Sequence, residues 1–134
     1  MIYLPDTNAL IRFLNPGSNA VKNHFIEVDP SSISLGSVTK AELYYGAMKS
    51  SRSADNLKLL DELFANFNSF SFDDSAAVKY GEIRSELARK GTPIGPNDLM
   101  IAAIALVHNA VVVTHNMREF SRVAGLKTVD WEIS

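Results

Sequence analysis

The sequence contains no cysteine, so disulfide bonds and thiolate metal sites are excluded. This absence also suits a reducing compartment, and we expect a cytoplasmic protein. A long hydrophobic run is missing as well, because the apolar stretch 99–107 is far too short to span a bilayer. The first residues, MIYLPD, lack the basic and apolar regions of a signal peptide. These absences predict a soluble protein with no membrane partner.

The chain also lacks an excess of positive charge, since its formal net charge is −2 at pH 7. It therefore has no overall attraction to nucleic acid, and a role in RNA or DNA binding requires a local basic patch. With 134 residues, of which 46% are hydrophobic and 21% charged, the composition is that of an ordinary globular protein. We expect one domain over residues 1–134.

Short β-favouring runs alternate with helical segments along the whole chain. This alternation predicts an α/β fold with a mostly parallel sheet and helices on both faces. Thr39 and Glu42 fit a capping box at the start of the third helix. The predicted strands lie at 2–4, 32–38, 70–72, 110–114 and 127–131, and the predicted helices at 9–14, 20–28, 42–49, 54–67, 73–90, 99–107 and 117–122.

Acidic and amide side chains follow the predicted strands. Asp6 comes directly after the first strand, Glu42 lies in the first turn of the helix after the second strand, and Asp98 begins the apolar helix. Asn116 follows the V-V-V strand, and Glu119 comes one helical turn later. Because open parallel sheets bind ligands beyond the carboxyl ends of their strands, we expect these side chains at one edge of the sheet.

Each of these residues also has a purely structural interpretation. Asp6 can cap the first helix, Glu42 can complete the capping box, and Asp98 can interact with a helix dipole. Asn116 can be a turn residue and Glu119 a solvated acid. Two carboxylates about 4 Å apart, however, repel by about 4 kcal/mol at an effective dielectric constant of about 20. A cation removes this repulsion, and an oxygen-rich site favours Mg²⁺ or Mn²⁺ over zinc.

Other catalytic signatures are absent from the sequence, which has no P-loop, G-x-G-x-x-G or G-x-S-x-G motif. His24, His108 and His115 are scattered without the spacing of metal ligands, and we interpret them as ordinary surface or core residues. His115 alone lies beside the predicted site, where it can contact a substrate.

Four stretches of the chain carry a family resemblance: D-T-N (6–8), T-K-A-E-L-Y-Y-G-A (39–47), A-R-K-G-T-P-I-G-P-N-D-L-M-I-A-A (88–103) and V-V-V-T-H-N-M-R-E-F-S-R-V (111–123). In this order and spacing they resemble the PIN-domain ribonuclease toxins called VapC, over nearly the whole chain. The resemblance implies a PIN-like three-layer α/β/α sandwich around a central, mostly parallel sheet. It also implies an endoribonuclease that depends on Mg²⁺ or Mn²⁺ and inhibits translation.

The resemblance assigns the acidic triad of that family to Asp6, Glu42 and Asp98. It implies that Asp6 and Asp98 bind the metal most directly and that Glu42 binds the ion or its water. Thr7 and Asn8 are then expected to orient Asp6 without binding the metal themselves.

The sequence departs from the family pattern at two positions. Many PIN domains carry a fourth acid where this chain has Asn116, an amide that offers a carbonyl oxygen without charge. Glu119 is the candidate to supply the missing charge, and the number of metal ions, one or two, stays open. Pro5 is unusual because it cannot donate to a sheet ladder, and we expect the first strand to end there.

The resemblance also implies partners. Toxins of this family usually form homodimers, and a VapB antitoxin silences them, covering the acidic groove with its tail while its other end binds operator DNA. The A-R-K-G-T-P-I-G-P version resembles the enteric branch that cleaves initiator tRNA in the anticodon loop. Tyr44 and Tyr45 can stack on bases, but adjacent tyrosines on a helix more often serve core or dimer packing. RNA phosphates require cations, and the candidates are Arg84, Arg89, Lys90, Arg118, Arg122 and Lys127.

Two alternative functions remain open at this point. A phosphatase of the haloacid dehalogenase type also begins with an aspartate after the first strand, but it requires a second aspartate two residues later, where this chain has Asn8. A noncatalytic binding module could instead use the same acids to hold a structural ion. RNA cleavage separates both alternatives from the ribonuclease.

Overall fold

A computed structural model describes residues 1–133 and shows five short strands that are all parallel to their neighbours. The strands pair as β1-β4-β5 and β2-β3, and one parallel bridge between Tyr3 and Ile33 joins the two groups into the order β3-β2-β1-β4-β5. Their bounds are β1 Tyr3–Pro5, β2 Ser34–Gly36, β3 Asn68–Phe70, β4 Val111–Val113 and β5 Lys127–Val129.

Helices cover both faces of this sheet. Leu10, Leu35 and Trp131 belong to the core on one face, beneath the first four helices, whereas Ile104 and Phe120 belong to the core on the other. The α/β prediction with a parallel central sheet is therefore confirmed. The helices are α1 Thr7–Leu14, α2 Ala20–Glu27, α3 Ser37–Met48, α4 Ser53–Phe64, α5 Asp74–Arg89, α6 Pro96–His108 and α7 Met117–Phe120. Within residues 1–133, no helix is long and apolar enough to cross a membrane.

Pro5 is the last residue of β1, as its lack of an N–H group predicts. The next residue, Asp6, donates its N–H to Val113 in β4 at 2.9 Å. Successive N–H groups of a strand point to opposite sides, so the position of Pro5 faces β2. The pairing between β1 and β2 is the single bridge from Tyr3 to Ile33, and the proline therefore ends the ladder at that side.

The predicted capping box is wrong. Helix α3 begins at Ser37 with Gly36 as its N-cap, so Thr39 already lies inside the helix. Thr39 is 1% exposed, and its hydroxyl has no hydrogen-bond partner among the described residues. The predicted strand at 32–38 also shrinks to Ser34–Gly36, because residues 30–32 form a 3₁₀ turn before it.

The predicted strand at 70–72 lies two residues too far along the chain. β3 covers Asn68–Phe70, where Phe70 pairs with Gly36 of β2. The Phe72 N–H instead bonds the Ser37 hydroxyl at 3.1 Å. The alternation F-S-F matches a strand, but pairing with β2 decides which residues form the ladder.

Candidate active site

A cleft opens at the carboxyl ends of β1 and β4, between the starts of α1, α3 and α6. It encloses about 210 Å³ and brings together Asp6, Glu42 and Asp98. We call it the acidic cleft. Its other lining residues are Thr7, Asn8, Gly95, Pro96, Asn97 and Asn116.

Asp6 is held at the floor of the cleft and is 4% exposed. One of its carboxylate oxygens, Oδ1, caps α1 by accepting the Ala9 N–H at 2.9 Å. Burial raises the pKa of Asp6, the Thr114 hydroxyl and the Ala9 N–H lower it, and the charges of Glu42 and Glu132 raise it further. The capping interpretation of Asp6 is therefore correct, but it uses one oxygen and leaves the buried charge of the carboxylate uncompensated.

Asp98 lies in the first turn of α6, which begins at Pro96. Burial raises the pKa of Asp98 to about 6, and the neighbouring carboxylates of Asp6 and Glu119 contribute to the rise. Behind it, residues 101–105 of α6 are at most 1% exposed. A helix packed on all sides is a rigid support, so the position of the Asp98 carboxylate is fixed by the core.

Thr7 contacts Glu42 rather than Asp6. Its hydroxyl donates to Glu42 Oε1 at 2.8 Å. The expectation that Thr7 orients Asp6 is therefore wrong. Because α3 begins at Ser37, Glu42 lies in the second turn of that helix and not in the first turn as predicted. Asn8 lines the cleft, while Ala9 and Thr114 hold Asp6. Thr114 was missed in the sequence analysis, although its place directly after the V-V-V strand was the available signal.

Asn116 connects two acids through its amide nitrogen. Its Nδ2 donates to Asp98 Oδ2 at 3.2 Å and to Glu119 Oε2 at 3.1 Å. In this orientation the amide nitrogen of Asn116, and not its carbonyl oxygen, faces the two carboxylates. Glu119 thus joins the acidic cleft from α7, and Asn116 partly relieves its repulsion with Asp98.

The donors of the acidic cleft fit a divalent metal ion. Asp6, Glu42, Asp98 and Glu119 supply carboxylate oxygens, which are the ligands that hard divalent cations prefer. Burial first and neighbouring carboxylates second raise the pKa values of Asp6 and Asp98, so the ionised forms of both side chains are disfavoured. A bound cation would favour the ionised forms.

A second charged group lies at the same edge of the sheet, and there His115, expected beside the site, meets three charged residues that the sequence analysis missed. His115 Nδ1 lies 2.8 Å from Asp130 Oδ2 and 3.6 Å from Glu132 Oε2, and Arg12 lies 3.5 Å from Glu132. We call these four residues the His115 cluster. The ligating atoms of His115, Asp130 and Glu132 all lie within 4.8 Å of one another, a geometry that can also hold a metal. The position of Asp130 directly after β5 was the signal in the sequence.

The other two histidines pack against aromatic rings. His24 stacks on Trp131 with ring centroids 5.4 Å apart, and His108 stacks on Phe70 at 3.7 Å. Tyr44 packs edge-on against Phe64 and donates its hydroxyl to Asp61.

The basic candidates are distributed over several surfaces. Arg84 donates to the Tyr80 hydroxyl at 3.1 Å, Arg122 donates to the Pro93 carbonyl at 2.8 Å, and Lys90 pairs with Glu86. Arg89 ends α5, and Arg118 lies exposed in α7. Lys127 begins β5 and bonds Asn109, so it lies at the opposite edge of the sheet from the cleft.

Comparisons with known proteins agree with this architecture. Residues 3–126 match the family model of the PIN domain. The chain is 39% identical over 129 residues to the tRNA(fMet)-specific endonuclease VapC of Salmonella typhimurium, covering 96% of this chain and 97% of that protein. It is 35% identical over 133 residues to ribonuclease VapC2 of Rickettsia felis, covering 98% of this chain and 99% of that protein.

Solved structures give the same result. The DNA-bound VapBC complex of Salmonella typhimurium contains a chain that superposes with a TM-score of 0.90 at 38% identity, covering 98% of both chains. VapBC2 of Rickettsia felis, bound to a promoter DNA fragment, superposes with a TM-score of 0.88 at 34% identity, covering 98% of this chain and 99% of that one.

Proposed function

The chain belongs to the PIN domain family, and we propose that it is the ribonuclease toxin of a VapBC-type toxin–antitoxin pair. The observation that carries this proposal is the acidic cleft, in which burial and neighbouring carboxylates raise the pKa of both Asp6 and Asp98. Such a cleft repels an RNA phosphate unless a cation is present. Neutral side chains would form a more stable surface, so the cost of these acids indicates a role in metal-dependent chemistry.

In this proposal Asp6 and Asp98 hold Mg²⁺ or Mn²⁺, and Glu42 binds the ion or its water. Held by these residues, such an ion would supply Lewis-acid chemistry for phosphodiester hydrolysis. The chain's own contribution is to fix the carboxylates: the Ala9 N–H and Thr114 hold Asp6, and Thr7 holds Glu42. On the far side, Asn116 links Asp98 to Glu119.

The proposed substrate is RNA, and specifically initiator tRNA cut in the anticodon loop. Support comes from the Salmonella typhimurium relative, whose name gives it this tRNA specificity. Single-stranded loops expose bases and phosphates together, and basic side chains around the cleft can then bind the phosphates. Those proposed for this role are Arg84, Arg89, Lys90, Arg118 and Arg122.

The proposed partner is a VapB-type antitoxin, in a complex that also binds operator DNA. An apolar groove between α1, α3 and α4 adjoins the acidic cleft, because Glu42 lines both. Ile11, Leu14 and Leu59 are exposed along it, as expected of a surface that a partner covers. We further propose that the 134 residues form one PIN domain, that the toxin is a homodimer, and that it acts in the cytoplasm.

Expression in a bacterium followed by sequencing of new RNA 5′ ends tests this function. Wild-type protein should arrest growth and produce one dominant cut in a tRNA, whereas Asp98→Asn should do neither. Purified protein should cut the same RNA with Mg²⁺ or Mn²⁺ and stop when the ion is chelated. Equal cutting by Asp98→Asn would exclude the proposed site. Turnover of phosphate monoesters without RNA cleavage would favour the phosphatase, and metal-dependent melting without either activity would favour the binding module.

A further inference from the structure

A second groove lies on the other side of loop 92–96 from the acidic cleft. It encloses about 300 Å³, and Pro96 lines both cavities. We call it the loop groove. Its walls are formed mainly by Tyr80, Arg84, Pro93, Ile94, Pro96 and Leu99.

The loop between the two cavities is held at both ends. The Thr92 N–H donates to the Leu87 carbonyl at 2.9 Å, and the Leu99 N–H donates to the Gly95 carbonyl at 2.9 Å. Arg122 fixes the middle by donating to the Pro93 carbonyl at 2.8 Å. Prolines at 93 and 96 restrict the backbone further. The loop groove is therefore a preformed cavity, and its distance from the acidic cleft is fixed.

The loop groove combines an apolar wall with a free cation. The Tyr80 ring packs edge-on against Phe72 and is only partly buried. The Arg84 guanidinium lies 5.9 Å from the Tyr80 ring centroid and donates to the Tyr80 hydroxyl. Among residues 1–133, no carboxylate lies within ion-pair distance of Arg84, whereas Lys90, directly after the same helix, is paired with Glu86. Arg84 thus has a charge available for a ligand.

We propose that the loop groove binds one nucleotide of the RNA substrate, next to the phosphate that is cut. The nucleobase packs against Tyr80 and Ile94, and Arg84 binds the phosphate or the base edge. This inference rests on the proposed ribonuclease function. Nucleobases of single-stranded loops are commonly splayed onto aromatic and arginine side chains, which provide a π-face and a cation together. An apolar protein side chain would leave Arg84 without a partner, so a nucleotide fits both halves of the groove.

Binding of a labelled RNA oligonucleotide that spans the mapped cut tests this proposal. The protein should carry Asp98→Asn throughout, so that the RNA stays intact. Tyr80→Ala removes a base-stacking side chain and should raise the Kd by about 10-fold to 100-fold. Arg84→Ala should also weaken binding and reduce the slope of log K against log salt by about 0.7 to 1. Tyr80→Phe, which keeps the ring, should bind within about twofold of the parent protein.

A matched variant controls for the loss of any arginine. Arg52 is exposed before α4 and paired with Asp55, and it does not line the loop groove. Arg52→Ala should leave the Kd unchanged. An equal loss in Arg52→Ala, or no loss in Tyr80→Ala and Arg84→Ala, would overturn the proposal.

Abasic oligonucleotides then identify the nucleotide. An oligonucleotide that lacks the base at one position beside the cut should bind the parent protein with a higher Kd. In Tyr80→Ala, removing the same base should not raise the Kd any further. If removal of that base raises the Kd equally in Tyr80→Ala, the proposal is overturned. A change of oligomeric state in Arg84→Ala would also overturn it, because the groove would then be a contact between subunits. The proposed function is judged separately: if metal-dependent cutting by wild type persists in these outcomes, only the loop-groove assignment fails.

Discussion

The acidic cleft and the His115 cluster lie at the same edge of the sheet but differ in whether their charges have partners of opposite sign. In the His115 cluster, His115 is held by Asp130 at 2.8 Å, and Arg12 balances Glu132 at 3.5 Å. Each negative charge therefore has a basic partner. In the acidic cleft, Asp98 has carboxylates as its main charged neighbours, and its pKa rises to about 6.

The difference shows how to distinguish charges that stabilise a fold from charges that serve a ligand. The neighbouring carboxylates raise the pKa of His115, because they favour its charged form. Burial and like charges raise the pKa of Asp98, because they disfavour its charged form. The His115 cluster therefore pairs acids with bases, whereas the acidic cleft brings acids together. The following predictions test this comparison.

The largest expected difference is in RNA cleavage. Asp6→Asn removes a proposed metal ligand and should lower the cleavage rate by more than about 100-fold, since loss of a group behind a ligand alone costs about 10-fold to 100-fold. Asp130→Asn changes a carboxylate of the His115 cluster and should leave the rate within about threefold of wild type, as expected for charge pairs near the surface. Initial rates at saturating Mg²⁺ measure both. Equal losses of cleavage rate in the two variants would contradict the distinction between the acidic cleft and the His115 cluster.

Thermal melting with added divalent ions should show the next largest difference. Ions that bind only the folded protein at 100 times their Kd stabilise it by about 2.7 kcal/mol, which should raise Tm by roughly 5–10 °C. Asp98→Asn should lose most of this shift, and His115→Gln should retain it. A shift that disappears in His115→Gln and persists in Asp98→Asn would place the ion in the His115 cluster instead.

Without divalent ions, Asp98 should make stability fall as pH rises. Its pKa is 3.8 in the unfolded chain and about 6 in the folded protein, so the folded state binds more protons in this interval. The free energy of unfolding should therefore decrease from about pH 4 to pH 6 and stay lower above it. Asp98→Asn should lack this component and be more stable than wild type at pH 7. Urea titrations at several pH values measure it, and a less stable Asp98→Asn at pH 7 would contradict the account.

The smallest effect is expected in the His115 cluster. The raised pKa of His115 means that its charge pair stabilises the protein below about pH 6.5 and that this contribution is lost as pH rises through the folded pKa. His115→Gln should therefore lower Tm slightly at pH 6 and leave it unchanged at pH 9. High salt should remove even the difference at pH 6, because the imidazole is exposed.

Local patterns in the sequence were enough to predict most helices. Helices predicted at 54–67, 73–90 and 99–107 form as α4, α5 and α6, with ends that differ by a few residues. Each of these features depends on residues within a few turns of one another. The predicted bounds of helices and strands were wrong where contacts between distant chain segments set them. Thr39 lies inside α3, and β3 takes its register from β2.

The candidate site divides along the same line. The placement of Asp6 after β1 and Asp98 at the start of α6 follows from strand and helix patterns that are visible in the sequence. The bond from Thr7 to Glu42 joins residues 35 positions apart, and the pairing of His115 with Asp130 spans 15 positions. Side-chain contacts over such separations leave no periodic signal, so they could not be predicted.

By itself, the sequence determined which helices and strands form and where the acidic residues lie relative to them. It also excluded cysteine chemistry. The tertiary structure alone decided which acids lose solvent, which find a basic partner, and which way the Asn116 amide faces. It also placed a rigid loop between the acidic cleft and the loop groove. The physical reason is that helix and strand formation depends mainly on neighbours in the chain, whereas desolvation and Coulomb energies depend on distances that only the complete fold sets.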